Sequence, residues 1–153
     1  MKKFAAEILG TFALVFAGTG AIVIDQISGG AISHVGVALT FGLIVLAMIY
    51  TVGDISGAHL NPAVTLGFWA ARRMSAREVL PYIFSQITGA ILASGLLRFL
   101  FPENKLLGVT LPAGSEMQSF VLGAVLPFFL MLTILKVSTG AKEKGIKAGI
   151  TVG

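Results

Sequence analysis

Residues Ser56 to Thr65 read SGAHLNPAVT. The stretch lies between two long apolar runs, where an uninterrupted hydrophobic chain would be expected, yet it carries a His, an Asn and a Pro. Its second half continues as NPAVTLGFWAA, apolar but too short to cross a bilayer. Asn61 followed by Pro62 is an N-cap and first-turn pair, because Pro62 has a fixed φ and lacks an N–H that would be unpaired there anyway. Arg72 and Arg73 follow at the far end, where cations suit the helix dipole. The pattern predicts a re-entrant half-helix over about residues 61–71, running from a buried N-terminus back to a basic surface. Residues 56–59, SGAH, are then expected as extended backbone at membrane depth, which is tolerated only inside protein or along a water-filled cavity. In that setting the carbonyls of Gly57, Ala58 and His59 form a row of acceptors. Asn61 caps the half-helix through its oxygen while its NH₂ points outward. The competing reading, a capped surface loop, has the apolar half-helix and the flanking runs against it.

Working outward, the 153 residues are 56% hydrophobic and 12% charged, with mean hydropathy +0.92. A soluble domain carries about 25% charged residues, so a membrane protein is the better class. Four segments have spanning length: 4–24, 35–52, 79–101 and 119–137. A fifth apolar pattern, 145–153, is expected as the beginning of another helix. Long runs without two-residue alternation make the spans helical rather than a barrel. MKKFAAEILGTFALVFAG at the N-terminus looks like a secretory leader, but its apolar run is too long and contains Glu7, so it reads as a retained first helix.

The chain has no cysteine and two histidines, which excludes disulfides and thiolate chemistry and leaves no metal site or cofactor expected. The net charge of +4 reflects membrane sidedness rather than nucleic-acid binding. With the N-terminus inside, Lys2, Lys3, Arg72, Arg73, Arg77, Lys136, Lys142, Lys144 and Lys147 fall on the cytoplasmic side, and Lys105 in an outer loop. Arg98 near the outer end of the third span can snorkel. A cell-membrane, multi-pass protein with a cytoplasmic N-terminus is therefore expected. Glu7 is an ionisable group within a span, which reads as functional or as a side chain snorkelling to the interface. Gly89 with Ala93, Ala90 with Ser94, and Gly10, Gly18 and Gly42 fit close helix packing. Asp54 and His34 receive no role. No carboxylate pair or His cluster converges, so the chain is not expected to be an enzyme.

SGAHLNPAVT resembles the first pore loop of the aquaporin and glycerol facilitator family, the major intrinsic proteins. AAEILGTFALVFAGTGAIV is similar to the family's first helix, and GVALTFGLIVLAMIYTVG and EVLPYIFSQITGAILAS to its second and third. FVLGAVLPFFLMLTILKV resembles the fourth. The resemblance covers the whole chain and implies an all-α, aquaporin-like membrane bundle. It implies that Asn61, Pro62 and Ala63 are the first NPA motif, that the Gly57, Ala58 and His59 carbonyls with Leu60 and Val45 line the half-pore, and that Phe41 belongs to the selectivity constriction. From spacing alone Phe41 reads more readily as a packing aromatic. The resemblance also implies that Glu7 braces the pore loop and His59.

The chain departs from the family in lacking the second NPA motif, the Arg that follows it and the fifth-helix constriction residue. Gly123 stands where the first-helix glutamate is usually repeated, and Pro127 where a Thr or similar residue would follow. The expectation is a passive channel for water and small neutral solutes such as glycerol, this chain supplying the first half-pore. The alternative is a non-conducting remnant or an assembly partner of channel subunits. Partners are expected to be the bilayer, the solute, and further copies (a tetramer, by the resemblance) or a missing C-terminal half. The Lys/Arg asymmetry argues against two copies inserted in opposite directions.

Overall fold

The computed structural model describes residues 1–137. The fifth apolar segment, 145–153, lies outside them. Five helices follow one another: α1 (Lys2–Ile27), α2 (Ser33–Ser56), α3 (Pro62–Ala70), α4 (Ala76–Leu100) and α5 (Glu116–Val137). No strand occurs among the described residues. Four of the helices are long and apolar enough to cross a membrane. At 1.5 Å per residue α1 is about 39 Å long, more than the roughly 30 Å hydrocarbon core requires. The short helix α3 is about 14 Å long, under half that thickness.

α1 is the centre of the bundle, packed against α2 on one side and α4 on the other. α3 leans on α4 and α5, and α5 touches α3 alone among the described elements. Gly89 explains how closely α1 and α4 approach. A Cβ there would run into the Ile8 carbonyl oxygen and lie 3.0 Å from the Phe12 nitrogen. Ala93, one turn on, is fully buried on the same face, whereas Ser94 is exposed. Gly18 gives α2 the same kind of access, its missing side chain leaving room for the Phe41 ring.

The outward faces are apolar. Leu80, Phe84, Ile91 and Phe99 of α4 are exposed, and α5 buries none of its residues. Such faces are destabilising in water and at home in lipid or against other helices. α5 continues as helix through Pro127, and Gly123 has open space beside it. Arg73 ties the end of α5 to the turn after α3 by donating to the Leu135 carbonyl at 2.7 Å.

Candidate functional site

α2 runs four residues past the expected end of its span, through Asp54 and Ile55 to Ser56. The chain then turns sharply rather than extending. Gly57 has φ 89° and ψ 0°, Ala58 φ 47° and Leu60 φ 55°, all left-handed. The expectation of extended backbone over SGAH is therefore corrected. The reason is geometric: consecutive N–H groups of an extended strand point to opposite sides, whereas here those of His59 and Leu60 must reach one carboxylate. Left-handed backbone at Ala58 and Leu60 costs on the order of 1 kcal/mol or more per residue, so it persists only where its surroundings enforce it.

Glu7 supplies that enforcement. It is 0% exposed, in the second turn of α1. Oε1 accepts from Ser56 Oγ at 2.6 Å and His59 N at 3.0 Å. Oε2 accepts from Leu60 N and Gln86 Nε2, each at 2.8 Å. A carboxylate offers four acceptor positions, and all four meet a donor. Three further bonds fix the same loop. Thr11, one turn beyond Glu7, donates to the Leu60 carbonyl at 3.2 Å. Ser56 Oγ receives Ala58 N at 3.1 Å, and Tyr82 donates to the Ser56 carbonyl at 2.8 Å. The Leu60 side chain packs with Ala6 and Val52 and lies over Gly10.

α3 begins as its sequence suggests. Asn61 is extended at φ −149°, its Oδ1 accepts from Ala63 N at 2.8 Å, and Pro62 opens the helix. The Asn61 side-chain nitrogen has no partner among the described residues. Replacing Asn61 with Ala removes this cap and should destabilise the fold by about 1 kcal/mol, read as a lowered unfolding midpoint in detergent. An unchanged midpoint would mean that the cap contributes nothing here.

Beside the loop lies a cavity of about 520 Å³. Leu14 of α1, Val45 of α2, Val64 of α3 and Leu130 of α5 border it, and Gly57 to Asn61 form its polar side. The carbonyls of Gly57, Ala58 and His59 receive no hydrogen bond from the described residues. Asp54 and Arg73 lie along the same cavity. Phe41, Pro62 and Ala63 are not among its bordering residues; Phe41 packs on α1 at Gly18, one helical turn from Val45.

Sequence reasoning did not single out Gln86, Thr65, Thr11, Ser56 or Tyr82. Gln86 carried a signal, being a polar side chain in the middle of an apolar span. It is 1% exposed and donates to both Glu7 and Thr65. No group of three or more potential metal ligands occurs among the described residues.

Four helices of membrane-spanning length and apolarity, with a short helix among them whose leading loop is pinned to a buried carboxylate, define a multi-pass membrane protein. The profile of the family described as Major intrinsic protein matches residues 1–153. The chain is 47% identical over 154 residues to "Aquaporin NIP1-1" of Oryza sativa subsp. japonica, a match covering 100% of the chain and 54% of that relative. It is 41% identical over 154 residues to "Nodulin-26" of Glycine max, covering 100% and 57%. The chain belongs to the major intrinsic protein family. It spans about half the length of these relatives.

Proposed function

We propose that the chain supplies the first NPA half of a passive transmembrane pore for water and small neutral solutes. The observation that carries this reading is the juxtaposition on one cavity of the Asn61 amide nitrogen, at the head of α3, with the carbonyls of Gly57, Ala58 and His59, all without a hydrogen-bond partner among the described residues. Acceptors followed by a donor replace the hydrogen bonds that a water loses on leaving bulk. The positive end of the α3 dipole beside that donor disfavours cations. The shortness of α3 supports a midplane position for Asn61 when Arg72 and Arg73 sit at the cytoplasmic surface. In this reading the N-terminus is cytoplasmic, Val45 and Leu60 are wall, Phe41 belongs to the constriction, and Pro62 and Ala63 fix the half-helix entrance. No covalent chemistry is involved. The relatives named as aquaporins support the same activity.

The test is osmotic shrinkage of vesicles reconstituted with the protein extracted from its source membrane with its subunits still associated. A pore gives water flux above that of bare lipid, with a lowered activation energy, and substitution of Asn61 or Phe41 changes it. A bare-lipid rate in every preparation would overturn the proposal and leave a non-conducting subunit.

A further inference from the structure

Gln86 Oε1 is buried with no hydrogen-bond partner among the described residues, and the orientation of that amide fixes a proton two hydrogen bonds away, on His59. Nε2 lies 2.8 Å from Glu7 Oε2 and 2.9 Å from Thr65 Oγ1. Turning the amide over would set an oxygen against the carboxylate and bury an NH₂ with two unmet donors in place of one unmet acceptor, a costlier arrangement. Gln86 is therefore a donor to both neighbours. Thr65, 0% exposed, accepts from it and must place its own proton elsewhere. Thr19, Thr40, Thr51 and Thr88 all donate to the carbonyl four residues back. Thr65 makes no such bond; its remaining contact is His59 Nδ1 at 3.1 Å. If the Thr65 hydroxyl donates there, Nδ1 is the acceptor and the ring proton of neutral His59 sits on Nε2.

Nε2 has no partner among the described residues. It lies 3.4 Å from where a Gly57 side chain would begin, and both residues border the cavity. The ring is held flat, stacked on Phe68 with centroids 4.5 Å apart and flanked by Tyr82 at 5.0 Å.

We propose that Thr65 and Gln86 are positioning residues that hold His59 as its Nε2–H tautomer, presenting a second neutral N–H donor to the solute beside Asn61. The transport consequence rests on the pore reading above; the tautomer does not. The donors run in one direction, from Gln86 to Thr65 to His59 to the cavity, with Glu7 taking the other proton of the Gln86 amide. The solute that fits is neutral and carries an oxygen lone pair.

The experiment is nitrogen-15 NMR of histidine-labelled protein in bilayers, where protonated and bare imidazole nitrogens resonate far apart. His34→Gln identifies the His59 signals. We expect the Nε2–H pattern in the unaltered chain and in Thr65→Ser, and a mixture of tautomers in Thr65→Val. Gln86→Met frees the Thr65 oxygen to accept from Nδ1–H, so it also gives a mixture and carries the test should Thr65→Val not fold. An Nδ1–H pattern in the unaltered chain overturns the proposal, as does a pure Nε2–H pattern in Thr65→Val or Gln86→Met. Expected spectra together with bare-lipid water flux support the tautomer lock and remove only the pore reading.

Discussion

Glu7→Gln destabilises the folded chain by about 3 kcal/mol and loosens the loop from Ser56 to Leu60 before the rest of the bundle. The substitution preserves size and still fails chemically. Glu7 meets four donors, from Ser56, His59, Leu60 and Gln86. A glutamine offers one oxygen and one NH₂; Ser56 Oγ and the Gln86 amide can turn to accept from that NH₂, but whichever way it lies it also faces a backbone N–H, of His59 or of Leu60, that can only donate. At 0% exposure there is no water to take up the unmet groups. The strained left-handed backbone at Ala58 and Leu60 then loses what holds it, and the energy stored there favours opening. Thermal unfolding in detergent reads the total loss. Amide exchange at His59 and Leu60 reads the local part, and it should accelerate more than exchange in the middle of α4. Exchange that stays slow at both amides while Glu7 is absent would show that the loop is held by something other than this carboxylate.

The same network shows what can be read from residues in order and what cannot. The spanning helices were legible because apolar length alone decides whether a backbone can sit in lipid. The start of α3 was legible because an Asn–Pro pair caps a helix locally, and Asn61 needs only Ala63 to do so. Glu7 stood out because a carboxyl within a span requires partners. Its actual partners come from α2, the loop and α4, as far as 79 residues away, and nothing local announces which hydroxyls and amides those are. The backbone of residues 57–60 was misread for the same reason. Its left-handed turns answer to a group 52 and 53 residues upstream of the two amides it holds, not to the preferences of Ala58 and Leu60. A constriction role for Phe41 was legible only through resemblance, because its local setting, a ring packed over Gly18 one turn from Val45, is equally that of a packing aromatic.

Gly89→Ala is expected to cost about 2 kcal/mol, a large effect for a single methyl group in a helix that would otherwise gain from the change. Helix propensity favours alanine over glycine by roughly 1 kcal/mol, so a loosely packed site would be stabilised. The added Cβ instead meets the Ile8 carbonyl oxygen and the Phe12 nitrogen, which are backbone and cannot rotate away. Relief requires α1 and α4 to separate. Ile8 is adjacent to Glu7, and Gln86 lies one turn before Gly89, so the separation falls on the 2.8 Å bond from Gln86 to Glu7. The cost should therefore depend on whether that bond exists. Measured alone, Gly89→Ala carries both the steric term and the loss of the Gln86 bond. Measured on a Glu7→Gln background, where the network is already broken, it should carry mainly the steric term. The two substitutions are then less than additive in the unfolding free energy, because residues sharing one hydrogen-bond network do not act independently. Strict additivity would mean that α1 and α4 tolerate the methyl group without moving the network, and that Gly89 serves close packing alone.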